Sequence, residues 1–191
     1  MLEPIIHIDT QILIFINSHY SPFFDGIMWF VSQTWPWIPI YSVLLFIIIR
    51  NYKKEKWLII LSVIILITAS DQLSSAVIKN LFCRLRPTHN PALEGLIHIV
   101  HNYKGGLYGF VSSHASNSFA LATFTSFLFR NRIFTVCALV WAGLISYSRI
   151  YLGVHYPGDV ICGALLGFVL AAGIFKLLTV ILKSNTIRVN R

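Results

Sequence analysis

The sequence has little charge for its length. Charged residues make up 12% of the 191 residues and hydrophobic ones 56%, and this balance excludes an intrinsically disordered chain. A soluble protein of this size has too little polar surface to cover so much apolar material. The composition therefore indicates a multi-span membrane protein, and the length predicts a single domain over residues 1–191.

Cysteine is also scarce, and the features of a secretory leader or a repeat protein are missing. The cysteines, Cys83, Cys137 and Cys162, are scattered and form no C-x-x-C pair. Cys137 and Cys162 fall in predicted spans, so we interpret them as small core residues. The N-terminus carries Glu3 and Asp9 where a signal peptide has a basic region, so no cleavable signal peptide is predicted. There is no internal repeat and no low-complexity segment.

Apolar segments predict an all-α integral membrane bundle of about six transmembrane helices. The predicted spans are 22–34, a second helix that ends at Ile49, and then 57–78, 115–129, 133–146 and 160–182. Two prolines, Pro36 and Pro39, and two tryptophans, Trp35 and Trp37, lie together at the first boundary. This favours two helices joined at a corner over one kinked span. The first of these is short for a crossing, which needs about 20 residues, so five or six spans remain open.

Before these spans, residues 9–20 predict a short interfacial helix that lies at the membrane surface, capped by Asp9 or Thr10. Within the 57–78 span, Asp71 is a charge in an apolar segment. A charge at the bilayer centre costs roughly 2.5–3.5 kcal/mol on insertion scales. We therefore expect Asp71 near the outer end of its span or facing the bundle interior, as the structural partner of a basic residue.

The net charge of +8 raises the question of nucleic-acid binding, but the basic residues form short clusters between apolar segments. Positive-inside topology explains this pattern, so no nucleic-acid partner is predicted. Ten basic residues fall in predicted cytoplasmic segments: Arg50, Lys53, Lys54, Lys56, Arg130, Arg132, Lys176, Lys183, Arg188 and Arg191. The other five fall on the outer side: Lys79, Arg84, Arg86, Lys104 and Arg149. Topology does not explain these five, whereas an anion-binding site on the outer face does.

Three polar segments meet on that face if the spans form a bundle: residues 79–87, 111–114 and 148–159. Arginine side chains and free helix N-terminal amides are typical phosphate ligands. Phosphoryl transfer also needs a nucleophile and a proton donor, and two histidines can divide these roles. Asp159, four residues after His155, can accept one ring N–H and leave the other nitrogen free to attack. Pro157 suits the first turn of the last helix.

The three segments together resemble the signature of the type 2 phosphatidic acid phosphatase family. The matching residues are Lys79-x6-Arg86-Pro87, Ser112-x-His114 and Ser148-Arg149-x5-His155-x3-Asp159. The resemblance implies His155 as a nucleophile that forms a phosphohistidine, His114 as general acid and Asp159 as the partner of His155. It also implies Lys79, Arg86, Ser112 and Arg149 as phosphate ligands, and neither metal nor cofactor.

The middle motif departs from the family, which usually has Pro-Ser-Gly-His where this chain has Val111-Ser112-Ser113-His114. Losing the glycine places a side chain where a backbone amide approaches phosphate. Ser113 is small enough to keep that amide available, so we include it among the phosphate-binding residues.

Other polar residues of the outer loop are assigned more ordinary roles. His89, His98 and His101 match no compact metal-ligand spacing and are predicted to be loop surface. Arg84 is either a neighbour of the phosphate or headgroup, or a solvated loop charge.

These observations predict a metal-independent lipid phosphatase in a bacterial inner membrane, with its active site on the periplasmic face. Its partners are the bilayer and a lipid phosphate substrate. The expected order of substrates is undecaprenyl diphosphate, then lipid A, then phosphatidic acid or phosphatidylglycerol phosphate. Two alternatives are a non-catalytic lipid-binding membrane protein and a soluble vanadate-type haloperoxidase. The complete set of acid, nucleophile and carboxylate opposes the first, and the apolar spans oppose the second.

Overall fold

The computed structural model describes residues 3–189, with side chains as far as Lys183, and over this range the chain forms seven α-helices and no strand. They are α1 (Glu3–Ser18), α2 (Pro22–Ser32), α3 (Ile38–Asn51), α4 (Lys56–Phe82), α5 (Ser113–Phe129), α6 (Arg132–Tyr151) and α7 (Pro157–Val189). The predicted all-α bundle behind a short N-terminal helix is confirmed. Arg191 and the side chain of Arg188, counted above as cytoplasmic charges, lie outside the described residues.

Helices α2 and α3 together cross the bundle once. They are bent by 68° across a 3₁₀ turn at Trp35–Trp37, which is the predicted corner. The N–H of Ser21, before α2, donates to the hydroxyl of Tyr151 at the end of α6, 3.3 Å away. At the other end of the bundle, the hydroxyl of Tyr52 after α3 donates to the Leu128 carbonyl at the end of α5, 2.9 Å away.

By length and composition α4, α6 and α7 can each cross a membrane, and the bent pair is a fourth candidate. Helix α5 is shorter and rich in serine, threonine and alanine, but it packs against α4, α6 and α7. Because its polar side chains face other helices, it does not need an apolar outer surface. By length and composition the described helices therefore contain three candidate spans, or four when the bent pair is counted as one span.

Small residues bring α7 close to α5. A Cβ at Gly163 would lie 2.5 Å from the Ser112 carbonyl oxygen, and one at Gly167 would collide with backbone atoms of Ser116 and Ala120. Such close approach of two helix backbones is the usual role of glycines spaced four apart in membrane helices. It holds the N-terminus of α5 beside the N-terminus of α7.

The ends of α2, α3 and α5 lie within two residues of the predicted ends, whereas α1, α4, α6 and α7 differ more. α6 continues past residue 146 to Tyr151, and α7 continues past residue 182 to Val189. α7 begins at Pro157 as predicted. α4 passes the predicted end at residue 78 and stops at Phe82, where Cys83 takes a left-handed conformation with φ 48°. Its residues Leu73–Ile78 form a π-helical turn immediately before Lys79.

The predicted start of α1 is wrong, because the helix begins at Glu3 and neither Asp9 nor Thr10 caps it. Asp9 is in the helix interior, and its carboxylate bonds to other elements instead. In this helix Leu13 is buried, whereas Phe15 is 66% exposed.

The prediction of a core position is also wrong for Cys137, which is exposed, while Cys162 is half-buried. Cys137 shares its face of α6 with Ile133 and Val140, which are 77% and 66% exposed. An outward apolar face is expected of a helix at the lipid boundary, so hydrophobicity alone does not indicate a core position here.

Candidate active site

The three polar segments meet at one end of the bundle, opposite the basic segments that follow α3 and α5. Lys79 Nζ, in the last turn of α4, donates a hydrogen bond of 2.8 Å to Ser113 Oγ at the start of α5. The N–H of Ser112 donates to the backbone carbonyl of Asp159 at the start of α7, 2.9 Å away. The first segment therefore touches the second, and the second touches the third.

His155 and Asp159 are buried at the centre of this cluster, with side chains 1% and 0% exposed. His155 Nδ1 lies 3.4 Å from Asp159 Oδ2, and the same oxygen accepts from the N–H of Tyr156 at 3.0 Å. With Nδ1 facing the carboxylate, Nε2 is the nitrogen that keeps its lone pair for another partner. The carboxylate thus sets the orientation and tautomer of the ring.

The imidazole of His155 is held neutral by its surroundings. Burial lowers its pKa well below 6.5, and the positive charges of Arg86, Arg149 and Lys79 lower it further, while a hydrogen bond with the Gly109 backbone opposes them. A neutral ring has the free lone pair that a nucleophile needs.

Two arginines surround the ring. Arg86 Nε donates to the Tyr108 carbonyl at 3.1 Å, and Arg149 donates to Ser32 Oγ and, at 3.2 Å, to the Tyr103 hydroxyl. Arg86 Nη1 and Arg149 Nε are buried, and neither has a hydrogen-bond partner among the described residues. Buried unpaired donors on a cation are costly unless an anion supplies the acceptors.

The start of α5 adds further donors. Ser112 is its N-cap, and its Oγ accepts from the Ala115 N–H at 3.4 Å. The N–H groups of Ser113 and His114 precede the first intrahelical hydrogen bond and have no acceptor within the helix. Such N-terminal amides are a common phosphate site.

Ser113 and His114 also border a cavity of about 650 Å³ between α3, α4, α5 and α6. Its other walls are mainly apolar and include Leu44, Ile60 and Leu121. The arrangement places an apolar chamber directly beside a cationic, phosphate-type site.

All eight residues predicted for the site lie in this cluster: Lys79, Arg86, Ser112, Ser113, His114, Arg149, His155 and Asp159. No sequence pattern predicts Tyr103 and Ser32, whose hydroxyls accept hydrogen bonds from Arg149, because they lie in segments distant from the motifs. Gly109 was missed as well. A Cβ there would lie 2.9 Å from Asp159 Oδ2 and 3.6 Å from His155 Nδ1, so only glycine fits without displacing the pair.

Two charged residues differ from expectation. Arg84 is not a plain solvated charge, since its guanidinium bonds to Asp159 and to Asp9. Asp71 faces the cavity inside the bundle, one of the two predicted placements. However, its carboxylate accepts from the Asn117 amide at 3.3 Å rather than from a basic side chain. An amide satisfies the carboxylate without a second charge inside the bundle.

The histidines of the outer loop have separate partners. His98 Nε2 lies 2.9 Å from Asp25 Oδ2, the His101 ring packs on Trp29, and His89 Nδ1 lies 3.3 Å from the Thr88 hydroxyl. Among the described residues, no three His, Cys, Asp or Glu side chains are grouped as metal ligands.

Comparison with known proteins agrees with this geometry. Residues 56–182 match the family model of the PAP2 superfamily. The chain is 40% identical over 170 residues to a lipid A 4'-phosphatase of Bacteroides thetaiotaomicron, covering 87% of this chain and 75% of that protein. It is 35% identical to a lipid A 4'-phosphatase of Porphyromonas gingivalis, covering 92% and 75%. Identity to an undecaprenyl-diphosphatase of Sulfolobus acidocaldarius is 29%, covering 86% and 76%.

A solved structure shares the fold. The crystal structure of LpxE from Aquifex aeolicus superposes with a TM-score of 0.70 at 24% identity, covering 87% of this chain and 94% of that one. The family match spans the segments that carry the site, and the relatives cover most of the chain. This chain therefore belongs to the PAP2 superfamily and is a membrane lipid phosphatase.

Proposed function

We propose that this protein removes a phosphate group from lipid A. The sequence alone ranks undecaprenyl diphosphate first and lipid A second. The relatives favour the second, because the two with the higher identity are both named lipid A 4'-phosphatases.

The reaction begins with attack of His155 Nε2 on phosphorus. The N–P bond forms as the P–O bond to the lipid breaks, and the departing oxygen takes a proton from His114 to leave as an alcohol. Asp159 accepts the Nδ1 proton of His155 in a hydrogen bond and stabilises the positive charge that develops on the ring.

A water molecule then hydrolyses the phosphohistidine. His114, now without its proton, takes one from the water as the water oxygen attacks phosphorus. The N–P bond breaks, its electron pair returns to His155, and inorganic phosphate leaves.

The phosphoryl oxygens lie among positive groups throughout. Lys79, Arg86 and Arg149 supply charge, and Ser112 caps the helix whose first amides, at Ser113 and His114, point towards the anion. The observation that carries the proposal is the pair of buried guanidinium N–H groups, on Arg86 and Arg149, that lack partners among the described residues beside a neutral His155.

The adjoining cavity supports a lipid substrate. At about 650 Å³ with mainly apolar walls, it accepts part of an acyl chain while the phosphate stays at His114. The basic segments at the opposite end of the bundle support a periplasmic site in the inner membrane, since cytoplasmic loops carry the excess of Lys and Arg.

The test is phosphate release in detergent micelles containing a chelator. Lipid A, undecaprenyl diphosphate and phosphatidic acid are supplied separately to the wild type and to His155→Ala. We expect release from lipid A by the wild type and none above background by the variant. A requirement for added metal, or equal release by the variant, would contradict the mechanism. Faster release from undecaprenyl diphosphate would instead restore the sequence-based order.

A further inference from the structure

Arg84 joins three elements at the edge of the site and has no part in the mechanism above. Its Nη1 donates to Asp159 Oδ1 at 2.7 Å, and its Nη2 donates to Asp9 Oδ2 at 2.6 Å. The guanidinium also lies 4.0 Å from the centre of the Tyr156 ring. Burial lowers the pKa of Arg84, but the charges of Asp159 and Asp9 outweigh it and raise that pKa overall. Arg84 is therefore a fixed cation between two carboxylates.

The two oxygens of Asp159 have different partners as a result. Oδ1 is bonded to Arg84, while Oδ2 is left for His155 Nδ1 and the Tyr156 N–H. A carboxylate with one oxygen held by a charged donor and the other by a backbone N–H has little freedom to rotate. Arg84 thereby fixes which oxygen faces the nucleophile.

Asp9 anchors the far side of Arg84. Its Oδ2 accepts from Arg84, and its Oδ1 accepts from the Gly158 N–H at 2.7 Å, in the first turn of α7 next to Asp159. A single carboxylate on α1 thus holds both the arginine and the backbone that carries Asp159. The Asp9 side chain is only 11% exposed, so water screens this carboxylate weakly.

Arg84 differs from the phosphate-binding arginines in this respect. Arg86 and Arg149 each keep a buried nitrogen without a partner among the described residues, whereas both terminal nitrogens of Arg84 are occupied by carboxylates. One N–H of each terminal nitrogen is thus committed to a carboxylate, which fixes the guanidinium between Asp159 and Asp9.

We propose that Arg84 and Asp9 are positioning residues that hold Asp159 in the orientation that activates His155. The proposal rests on the proposed function, because it assigns these residues to the same phosphohistidine reaction. It gives α1 a role in catalysis that the three motifs do not contain.

The test measures kcat, KM and inhibition by inorganic phosphate for the full-length protein acting on lipid A in micelles. Arg84→Gln is expected to lower kcat about 10- to 100-fold, the usual effect of losing a partner that orients a functional group. The inhibition constant of inorganic phosphate is expected to stay at its wild-type value. Asp9→Asn keeps an acceptor for Gly158 but loses the charge, and a smaller fall in kcat is expected.

Two further readouts separate positioning from folding. The double variant is expected to lose less than the sum of the single losses, because both changes break one network. Millimolar guanidinium is expected to restore part of the kcat of Arg84→Ala, since the Arg84 side chain is 27% exposed and its place is open to solvent.

Asn17→Ala is the matched control on α1. Asn17 bonds to the carbonyls of Tyr151 and His98 and touches no site residue, so its loss is expected to lower stability with kcat unchanged. A raised inhibition constant with unchanged kcat in Arg84→Gln would make Arg84 a phosphate ligand and overturn the proposal. Wild-type kcat in the folded Arg84 and Asp9 variants would also overturn it. If the wild type itself releases no phosphate, or His155→Ala equals it, the proposed function fails instead.

Discussion

At the scale of single residues, the site places positive charge around one neutral imidazole. Arg86 and Arg149 are 8% and 2% exposed, so water screens their charges poorly. Each pushes the pKa of His155 down, and each keeps a donor for an anion. The same arrangement thus keeps the His155 imidazole unprotonated and favours an anion beside it.

The depressed pKa of His155 predicts acid sensitivity of the fold. In the unfolded chain a histidine binds a proton near pH 6.5, whereas the buried ring does not. His155 therefore favours the folded state fully above pH 6.5. As pH falls below 6.5, the free energy of unfolding decreases by at most about 1.4 kcal/mol per pH unit.

His155→Asn removes this titration. Thermal unfolding in detergent, followed at pH 7.5 and pH 5, is expected to show a larger loss for the wild type than for the variant. Equal losses in the two proteins would contradict a neutral buried His155.

Gly109 predicts a second effect at residue scale. In Gly109→Ala the new methyl group would lie 2.9 Å from Asp159 Oδ2, and that carboxylate cannot move freely because Tyr156 and Arg84 hold it. We expect kcat to fall about 10-fold or more, as small displacements of catalytic groups cost this much.

Gly106→Ala, in the same loop with nothing within 4 Å of the added Cβ, is the control and is expected to keep wild-type kcat. Phosphate release from both variants checks this, and equal activities would show that the Gly109 contact is unimportant.

At the scale of the helices, the site depends on the close approach of α5 and α7. Each helix contributes residues from its N-terminus: residues 112–114 come from α5, and Asp159 comes from α7. The glycines of α7 at positions 163 and 167 allow the contact, and a hydroxyl pair, Ser70 with Ser116 at 2.7 Å, ties α4 to α5. The placement of the phosphate ligands therefore follows from helix packing.

Gly167→Ala tests that packing. The added methyl group meets backbone atoms of α5, which cannot rotate away as a side chain can, so a loss of about 1–3 kcal/mol of stability is expected. Gly173→Ala, on the same helix with nothing within 4 Å, is expected to be neutral or slightly stabilising. Unfolding in detergent compares the two, and equal stability would contradict a tight α5–α7 contact.

At the scale of the whole molecule, a cationic cluster and an apolar cavity lie side by side. The cluster is at the end of the bundle opposite the basic segments that follow α3 and α5, and the cavity runs from it between α3 and α6 towards Ile48 and Ile60. A substrate with a phosphate at one end and a hydrocarbon chain at the other fits both regions at once.

Leu44→Trp tests whether the cavity contributes to lipid binding independently of the cationic cluster. The larger side chain narrows the cavity that Leu44 lines, so we expect a several-fold higher KM for lipid A. Hydrolysis of water-soluble para-nitrophenyl phosphate is expected to be unchanged, because that substrate has no acyl chain. Phe46→Trp, on the same helix but 60% exposed and away from the cavity, is the control. Equal effects on both substrates would place the acyl chain elsewhere.

Prediction from the sequence succeeded where a local pattern carries the information. Apolar runs predicted helices α4 to α7, because an apolar segment in a membrane must pair its own backbone groups and therefore forms a helix. The prolines at 36 and 39 gave the corner. Prediction failed where a residue distant in sequence determines the role of a side chain. Asp9 lies in a local pattern typical of an N-cap, but its carboxylate bonds to Arg84 and Gly158. The predicted basic partner of Asp71 was wrong for the same reason, because its actual partner, the Asn117 amide on α5, is remote in sequence.

The sequence by itself determined the family, the bundle of helices and the eight candidate site residues, because motif spacing and hydropathy are local properties of the chain. Only the tertiary structure decided the cavity beside His114 and the link from α1 to Asp159 through Arg84. These depend on which helix faces pack together, and packing joins residues such as Asp9 and Asp159 that no local pattern connects. Hence the sequence predicts the class of reaction, whereas the contacts that hold the Asp159 carboxylate are seen only in the tertiary structure.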